Sequence, residues 1–67
     1  MATTCSPIAI RRGGRILDPG GSGNIVEVTV RFRTDHADGL QAAIVRHPDG
    51  RDVEVFLALD SRIQRAA

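Results

Sequence analysis

The sequence contains no lysine, no tryptophan and no tyrosine, and only one cysteine among its 67 residues. A single cysteine excludes an internal disulfide. A chain this short buries too little apolar surface to be stable with a wide margin, so it usually needs a disulfide, a metal or a partner. Because a second thiol is missing, we expect self-association to supply the stability that the core lacks.

Long apolar runs are also missing. No segment approaches the roughly 20 apolar residues of a membrane-spanning helix, and residues 1–6 have neither the basic start nor the apolar segment of a signal peptide. We therefore expect a cytoplasmic protein with no membrane contact. Residues 1–6 are predicted to form a flexible tail carrying Cys5 as a free thiol, and residues 7–67 a single small β domain.

All nine basic residues are arginines, set against eight acidic residues, for a net charge of +1. Arginine binds phosphate through two parallel hydrogen bonds, so this bias is compatible with nucleic-acid contact. The codon preference of a GC-rich genome explains the same bias. The sequence pI of about 8.0 also lies below the value above 9 that is typical of a nucleic-acid-binding domain.

Alternation of apolar and polar residues dominates the chain and predicts an all-β protein. The clearest strand is Ile25–Arg33, where Val26, Val28, Val30 and Phe32 are expected on one face. We predict four or five antiparallel strands forming a small Sm-like or SH3-like barrel or a strongly bent sheet. The predicted strands are residues 7–12, 15–17, 25–33, 40–47 and 52–59.

Turn signals separate these strands. Gly13 and Gly14 predict a two-residue hairpin, and residues 48–50 (PDG) predict a type I turn with a bulged glycine. The latter places Arg46 opposite Asp52, a favourable charge pair. Residues 18–24 form a glycine-rich loop, and the capping-box spacing of residues 61–64 predicts a short C-terminal helical turn.

The hairpin formed by residues 40–59 is apolar on both faces. Its inner face holds Ala43, Val45, Val53, Val55, Leu57 and Leu59. Its other face would be polar if it were exposed to water. It instead carries several apolar residues, which predicts that this face is an oligomer interface. The alternative is that a tightly curled barrel buries both faces. The interface residues are Leu40, Ala42, Ile44, Phe56 and Ala58.

The first predicted hairpin suggests an anion site. It would set Arg12 directly opposite Arg15, and a phosphate between them, aided by exposed glycine amides, would relieve their repulsion. Arg11, Arg31 and Arg33 are near in sequence and complete the candidate nucleic-acid-binding set. The alternative is that these side chains extend separately into water.

Other polar groups carry weaker signals. Asp35, His36 and Asp38 could hold a divalent metal, but these residue types are also common in solvated loops. His47 needs no role beyond flanking a turn. Since no catalytic motif or phosphate-binding loop is present, we expect neither an enzyme nor a bound metal or cofactor.

Two families resemble parts of this chain. Residues 53–63 (VEVFLALDSRI) resemble the closing strand and terminal turn of Sm-like small barrels, the group that includes Hfq. Residues 8–16 (IAIRRGGRI) and 26–30 (VEVTV), with Ile63 and Gln64, resemble parts of the carbon storage regulator family, CsrA. Both resemblances imply small all-β oligomers that bind RNA.

These observations lead to one expectation and one alternative. We expect a small oligomeric module that binds RNA or another nucleic acid through an arginine-bearing surface near the first turn. The alternative is a structural or protein-interaction subunit without a nucleic-acid ligand, in which the second apolar face carries the function.

Overall fold

A computed structural model describes residues 3–34 and 39–66. These residues form six antiparallel strands in one sheet, in the order β1-β6-β2-β3-β4-β5, and one 3-10 turn. No helix among them is long and apolar enough to cross a membrane. The elements are β1 (Thr3–Cys5), the 3-10 turn (Pro7–Ala9), β2 (Arg15–Leu17), β3 (Ile25–Arg33), β4 (Leu40–Arg46), β5 (Asp52–Ala58) and β6 (Ile63–Arg65).

The sheet bends around one apolar core. Thr4 of β1, Leu57 of β5 and Ile63 of β6 line a shared cavity of about 380 Å³, so strands from both ends of the sheet approach each other. The antiparallel all-β prediction is confirmed, and the sheet is not closed into a barrel within the described residues. The buried core consists of Ile10, Ile16, Val26, Val28, Phe32, Ala43, Val45, Val55 and Ile63.

The β4–β5 hairpin has the predicted register, with Arg46 opposite Asp52. The Gly50 N–H donates to His47 O, and the His47 N–H donates to Arg51 O, both at 2.9 Å. Gly50 has a φ of 89°, which is the bulged position of a three-residue hairpin loop. The turn sequence therefore fixes how β4 and β5 align.

The prediction for residues 1–17 is wrong in two respects. Thr3–Cys5, expected in a flexible tail, forms β1 and pairs with β6. Residues 7–12, expected as a strand, begin with the 3-10 turn, because Pro7 has no N–H to donate and its ring fixes the φ that such a turn needs. In consequence Ile10 is buried whereas Ile8 is exposed.

Strand β3 has the predicted bounds, and its predicted core face is confirmed for Val26, Val28 and Phe32 but not for Val30. The register shifts twice along β3, since Val28 pairs with Val45, Val30 with Ile44, and Arg33 with Ala42. Such bulges turn a side chain to the other face of the sheet. Val30 is therefore 41% exposed rather than part of the core.

The C-terminal residues form a strand rather than the predicted helical turn. Ile63–Arg65 pairs with β1 on one side and meets β2 on the other. Sheet pairing satisfies these backbone groups, whereas a helix of one or two turns is marginal in water. The prediction that Leu59 faces the core is also wrong, because its side chain is 57% exposed.

Candidate anion-binding surface

The glycine pair forms a turn that does not join paired strands. The Gly14 N–H donates to Arg11 O at 2.9 Å, and Gly13 has the positive φ, 89°, that a type II turn requires at its third position. Strand β2 pairs with β3 and β6, so Arg15 lies opposite Glu27 and the predicted opposition of Arg12 and Arg15 is wrong.

The N–H groups of both glycines donate hydrogen bonds within the protein. The Gly13 N–H donates to Val28 O at 2.7 Å, in addition to the bond from Gly14 to Arg11. The expectation that these amides assist an anion is therefore wrong. Any anion at this surface must be bound by arginine side chains.

Three arginines from three segments line one cleft of about 220 Å³, here called the arginine cleft. Arg11 comes from the turn, Arg15 from β2 and Arg65 from β6. The Ala66 N–H donates to Arg15 O at 2.9 Å, which holds the end of β6 against β2 and so places Arg65. The rest of the lining is Ala9, Ile10, Gly14, Ile16 and Ala66.

A second, more open depression, here called the Ile8 groove, has a volume of about 480 Å³. Ile8, Arg31, Phe32, Arg33 and Thr34 line it. Arg31 Nη2 donates to Ile8 O at 3.4 Å, which directs this guanidinium along the 3-10 turn. Ile8 is 47% exposed, so an apolar side chain lies among positive charges.

Residues 8–11 separate the two depressions, because Ile8 lines one and Arg11 lines the other. These residues span at most about 11 Å along the chain. No carboxylate lines either depression in the described part of the chain. Arg12, included in the predicted set, lines neither of them, whereas Arg65, which the prediction omitted, lines the arginine cleft.

Asp18, Asn24 and His47 form a separate polar cluster, in which Asp18 and His47 are buried and Asn24 is exposed. The Asp18 and His47 side chains are both 5% exposed, and His47 Nε2 lies 3.7 Å from Asp18 Oδ2. Asn24 Nδ2 lies 3.3 Å from His47 Nδ1. An amide nitrogen can only donate, so Nδ1 is the acceptor in this contact. The hypothesis that His47 merely flanks a turn missed this contact.

The Asp18 carboxylate is held in its charged form. Burial alone raises its pKa, but the hydrogen bonds from Ser22 and Gly20 and the nearby His47 together lower the pKa below the ordinary value of 3.8. The Gly20 N–H donates to Oδ1 at 2.9 Å and the Ser22 N–H to Oδ2 at 3.3 Å. This cluster therefore fixes loop 18–24 against the turn of the β4–β5 hairpin.

The predicted interface residues lie together on the face of β4 and β5 that points away from the core. Leu40 pairs with Ala58, and Ala42 with Phe56. The bulge in β3 adds Val30, opposite Ile44. We call this set the outer apolar strip: Val30, Leu40, Ala42, Ile44, Phe56 and Ala58.

The predicted metal ligands Asp35, His36 and Asp38 lie outside the described residues. Across residues 3–34 and 39–66, no group of three His, Cys, Asp or Glu side chains is arranged to hold a metal ion. Cys5 is a free, half-buried thiol on β1 and packs against the core.

Comparisons with protein-family models, with curated proteins and with solved structures find no match to this chain. The class of protein is therefore defined by its own structure. It is a small protein built on one bent antiparallel sheet, with arginine-lined depressions on either side of residues 8–11.

Proposed function

We propose that this protein is a cytoplasmic, non-enzymatic module that binds RNA or another nucleic acid through the arginine cleft and the Ile8 groove. One observation carries the proposal: five arginines from four segments line two adjacent depressions in which the described residues place no carboxylate. Converging like charges repel each other, and a bound polyanion replaces that repulsion with charge-assisted hydrogen bonds.

The arginines of the cleft are available for this role. Across the described residues, Arg11, Arg15 and Arg65 form no salt bridge, whereas Arg46 is bound to Asp52 at 2.8 Å. Strand pairing and the turn at residues 11–14 fix the backbone positions of all three residues. A phosphate would therefore meet three guanidinium groups whose supporting backbone is already ordered.

We further propose that the module is a homo-oligomer whose copies meet through the outer apolar strip. The strip is apolar although it lies on the outer face of the sheet, where Phe56 is 46% and Val30 is 41% exposed. In a two-fold dimer the strip of each copy covers that of the other, so each contact occurs twice. The resemblance to Sm-like small barrels agrees with such an assembly.

Salt-dependent binding to a fluorescent RNA pool, followed by anisotropy between about 50 and 200 mM salt, tests the nucleic-acid proposal. We expect Arg15→Gln with Arg65→Gln to weaken binding at least tenfold and to reduce the slope of log affinity against log salt by about 1 to 2. Arg51→Gln is the matched control, because this arginine lines neither depression. An affinity that does not change with salt concentration, or an equal affinity for all variants, would overturn the proposal.

Light scattering tests the assembly. We expect the wild-type mass to be a multiple of 7.2 kDa, and both Phe56→Asp and Val30→Asp to give the single-chain mass with an unchanged circular dichroism spectrum. Leu59→Asp is the control, since this exposed residue lies outside the strip and should leave the mass unchanged. A monomeric wild type would exclude self-association. Assembly without RNA binding would instead favour the alternative of a structural or protein-interaction subunit.

A further inference from the structure

We infer that the nucleic acid is single-stranded, with one phosphate in the arginine cleft and one unpaired base against Ile8 and Arg31 in the Ile8 groove. This inference rests on the proposed function and names the form of ligand that the two depressions can hold. It follows from their different sizes and linings.

The arginine cleft is suited to a single phosphate group. Its volume of about 220 Å³ is below the roughly 300–1,000 Å³ of sites that enclose a drug-sized ligand. Arg11, Arg15 and Arg65 supply only positive donors at its rim, while Ile16 is buried beneath them. The cleft can therefore hold a charged group but has no room for a whole nucleotide.

The Ile8 groove has the composition of a base-contacting surface. It is larger and more open than the cleft, and the exposed Ile8 side chain offers an apolar surface to the flat face of a base. The bond from Arg31 to Ile8 O holds a planar guanidinium against the backbone of the same residue, and both residues line the groove. Unpaired bases stack on guanidinium planes as they do on aromatic rings.

A duplex does not provide these contacts. Its outer surface presents sugars and phosphates, and its base faces are stacked inside, so Ile8 would have no base to contact. An element that entered a groove would have to be a helix or a two-stranded ribbon. The described residues contain no α-helix. The tip of the β4–β5 ribbon carries three carboxylates, Asp49, Asp52 and Glu54, against two arginines, Arg46 and Arg51, so it has no excess of positive charge for phosphates.

Anisotropy with labelled strands of about eight nucleotides, a length within the usual site size of single-strand binders, tests the inference. Three probes are compared. They are a single strand, the same strand paired in a duplex, and an abasic strand with the same number of phosphates. We expect the single strand to bind at least tenfold more tightly than the duplex. Ile8 offers apolar area rather than an aromatic face to the base, so Ile8→Ser should weaken single-strand binding by about three- to tenfold without changing the salt slope.

The abasic strand separates the base contact from the phosphate contact. Wild type and Ile8→Ser should bind it equally, and Leu59→Ser, a matched change of an exposed apolar residue, should behave as wild type on every strand. Salt-dependent binding with equal affinity for duplex and single strand, or with no effect of Ile8→Ser, would overturn this inference while leaving the proposed function intact. Absence of binding to every strand would overturn both.

Discussion

His47 and Asp18 meet inside the protein, with Nε2 of the imidazole 3.7 Å from Oδ2 of the carboxylate. Asp18 begins the loop between β2 and β3, and His47 begins the turn of the β4–β5 hairpin. The loop is also closed at its base, where the Asp18 N–H donates to Asn24 O at 2.8 Å. A glycine-rich loop is thus held by a buried polar contact to a turn that is distant in sequence.

Replacing Asp18 should cost more stability than replacing an aspartate that makes a similar local bond in water. Asp18→Ala removes the acceptor of the Gly20 and Ser22 N–H groups and the buried charge beside His47, so we expect the free energy of unfolding to fall by about 1–2 kcal/mol. Asp49 also accepts a backbone N–H two residues away, from Arg51 at 3.0 Å, but it is exposed. Asp49→Ala should therefore cost about 0.5 kcal/mol or less.

Urea unfolding of both variants, monitored by circular dichroism, measures this difference. Equal losses of unfolding free energy in the two variants would show that the contact with His47 adds nothing beyond the local turn.

The same carboxylate predicts how stability depends on pH. Its pKa in the folded protein is lower than the ordinary 3.8, because the hydrogen bonds and His47 outweigh the effect of burial. A carboxylate with a lowered pKa stabilises the fold fully above its unfolded pKa, and this contribution is lost as the pH falls through the folded value. The difference in unfolding free energy between wild type and Asp18→Asn should therefore shrink below about pH 4.

Urea unfolding at several pH values between about 2.5 and 7 measures this trend. A difference between wild type and Asp18→Asn that is constant across this range would contradict the role of the charged form.

The parts of the fold set by local chemistry could be predicted from the sequence. The turn at residues 48–50 fixed the register of Arg46 with Asp52, and the alternation of residues 25–33 located β3. The parts that depend on pairing between distant segments could not be predicted. Ile63–Arg65 resembles a helix end locally, but β1 and β2 hold it as a strand.

The bulge in β3 also depends on a distant segment, and it predicts unequal effects of two otherwise similar substitutions. Val28 is fully buried whereas Val30 is 41% exposed on the outer face. Val28→Ala removes two buried methyl groups and leaves a cavity, so we expect a loss of about 2 kcal/mol of unfolding free energy. Val30→Ala should cost clearly less, about 0.5–1 kcal/mol.

Urea unfolding at low protein concentration, where self-association is suppressed, measures both losses of unfolding free energy. Equal losses would instead support the uninterrupted alternation that the sequence predicts.

Only part of the candidate site could be predicted from the sequence, because the site also depends on pairing between distant segments. Arg15 was predicted because it flanks a recognisable turn, and Arg11, Arg31 and Arg33 were predicted because they are near it in sequence; all four line a depression. Arg65 was missed, because only the pairing of β6 beside β2 brings it to the arginine cleft. Arg12, which the sequence placed opposite Arg15, lines neither depression, because the glycine pair does not join two paired strands.

A row of alternating charges crosses the sheet beside the arginine cleft and limits its positive potential. Arg15 lies opposite Glu27, Glu27 opposite Arg46, and Arg46 opposite Asp52. The hydrogen bond to Asp52, followed by the charges of Asp52 and Glu27, raises the pKa of Arg46 above its ordinary value. Arg46 thus has its own carboxylate partner in Asp52, so removing Glu27 would act mainly on Arg15.

Glu27→Gln should therefore strengthen anion binding in the cleft. Removing one negative charge within several ångströms of the bound phosphate, across a high dielectric, should tighten binding about twofold at low salt. The gain should fade near 1 M salt, where the screening length falls to about 3 Å. Asp49→Asn is the control, because this carboxylate lies at the hairpin tip and lines neither depression. Anisotropy with the single-stranded probe measures both variants, and unchanged or weaker binding by Glu27→Gln would show that the phosphate does not lie beside Arg15.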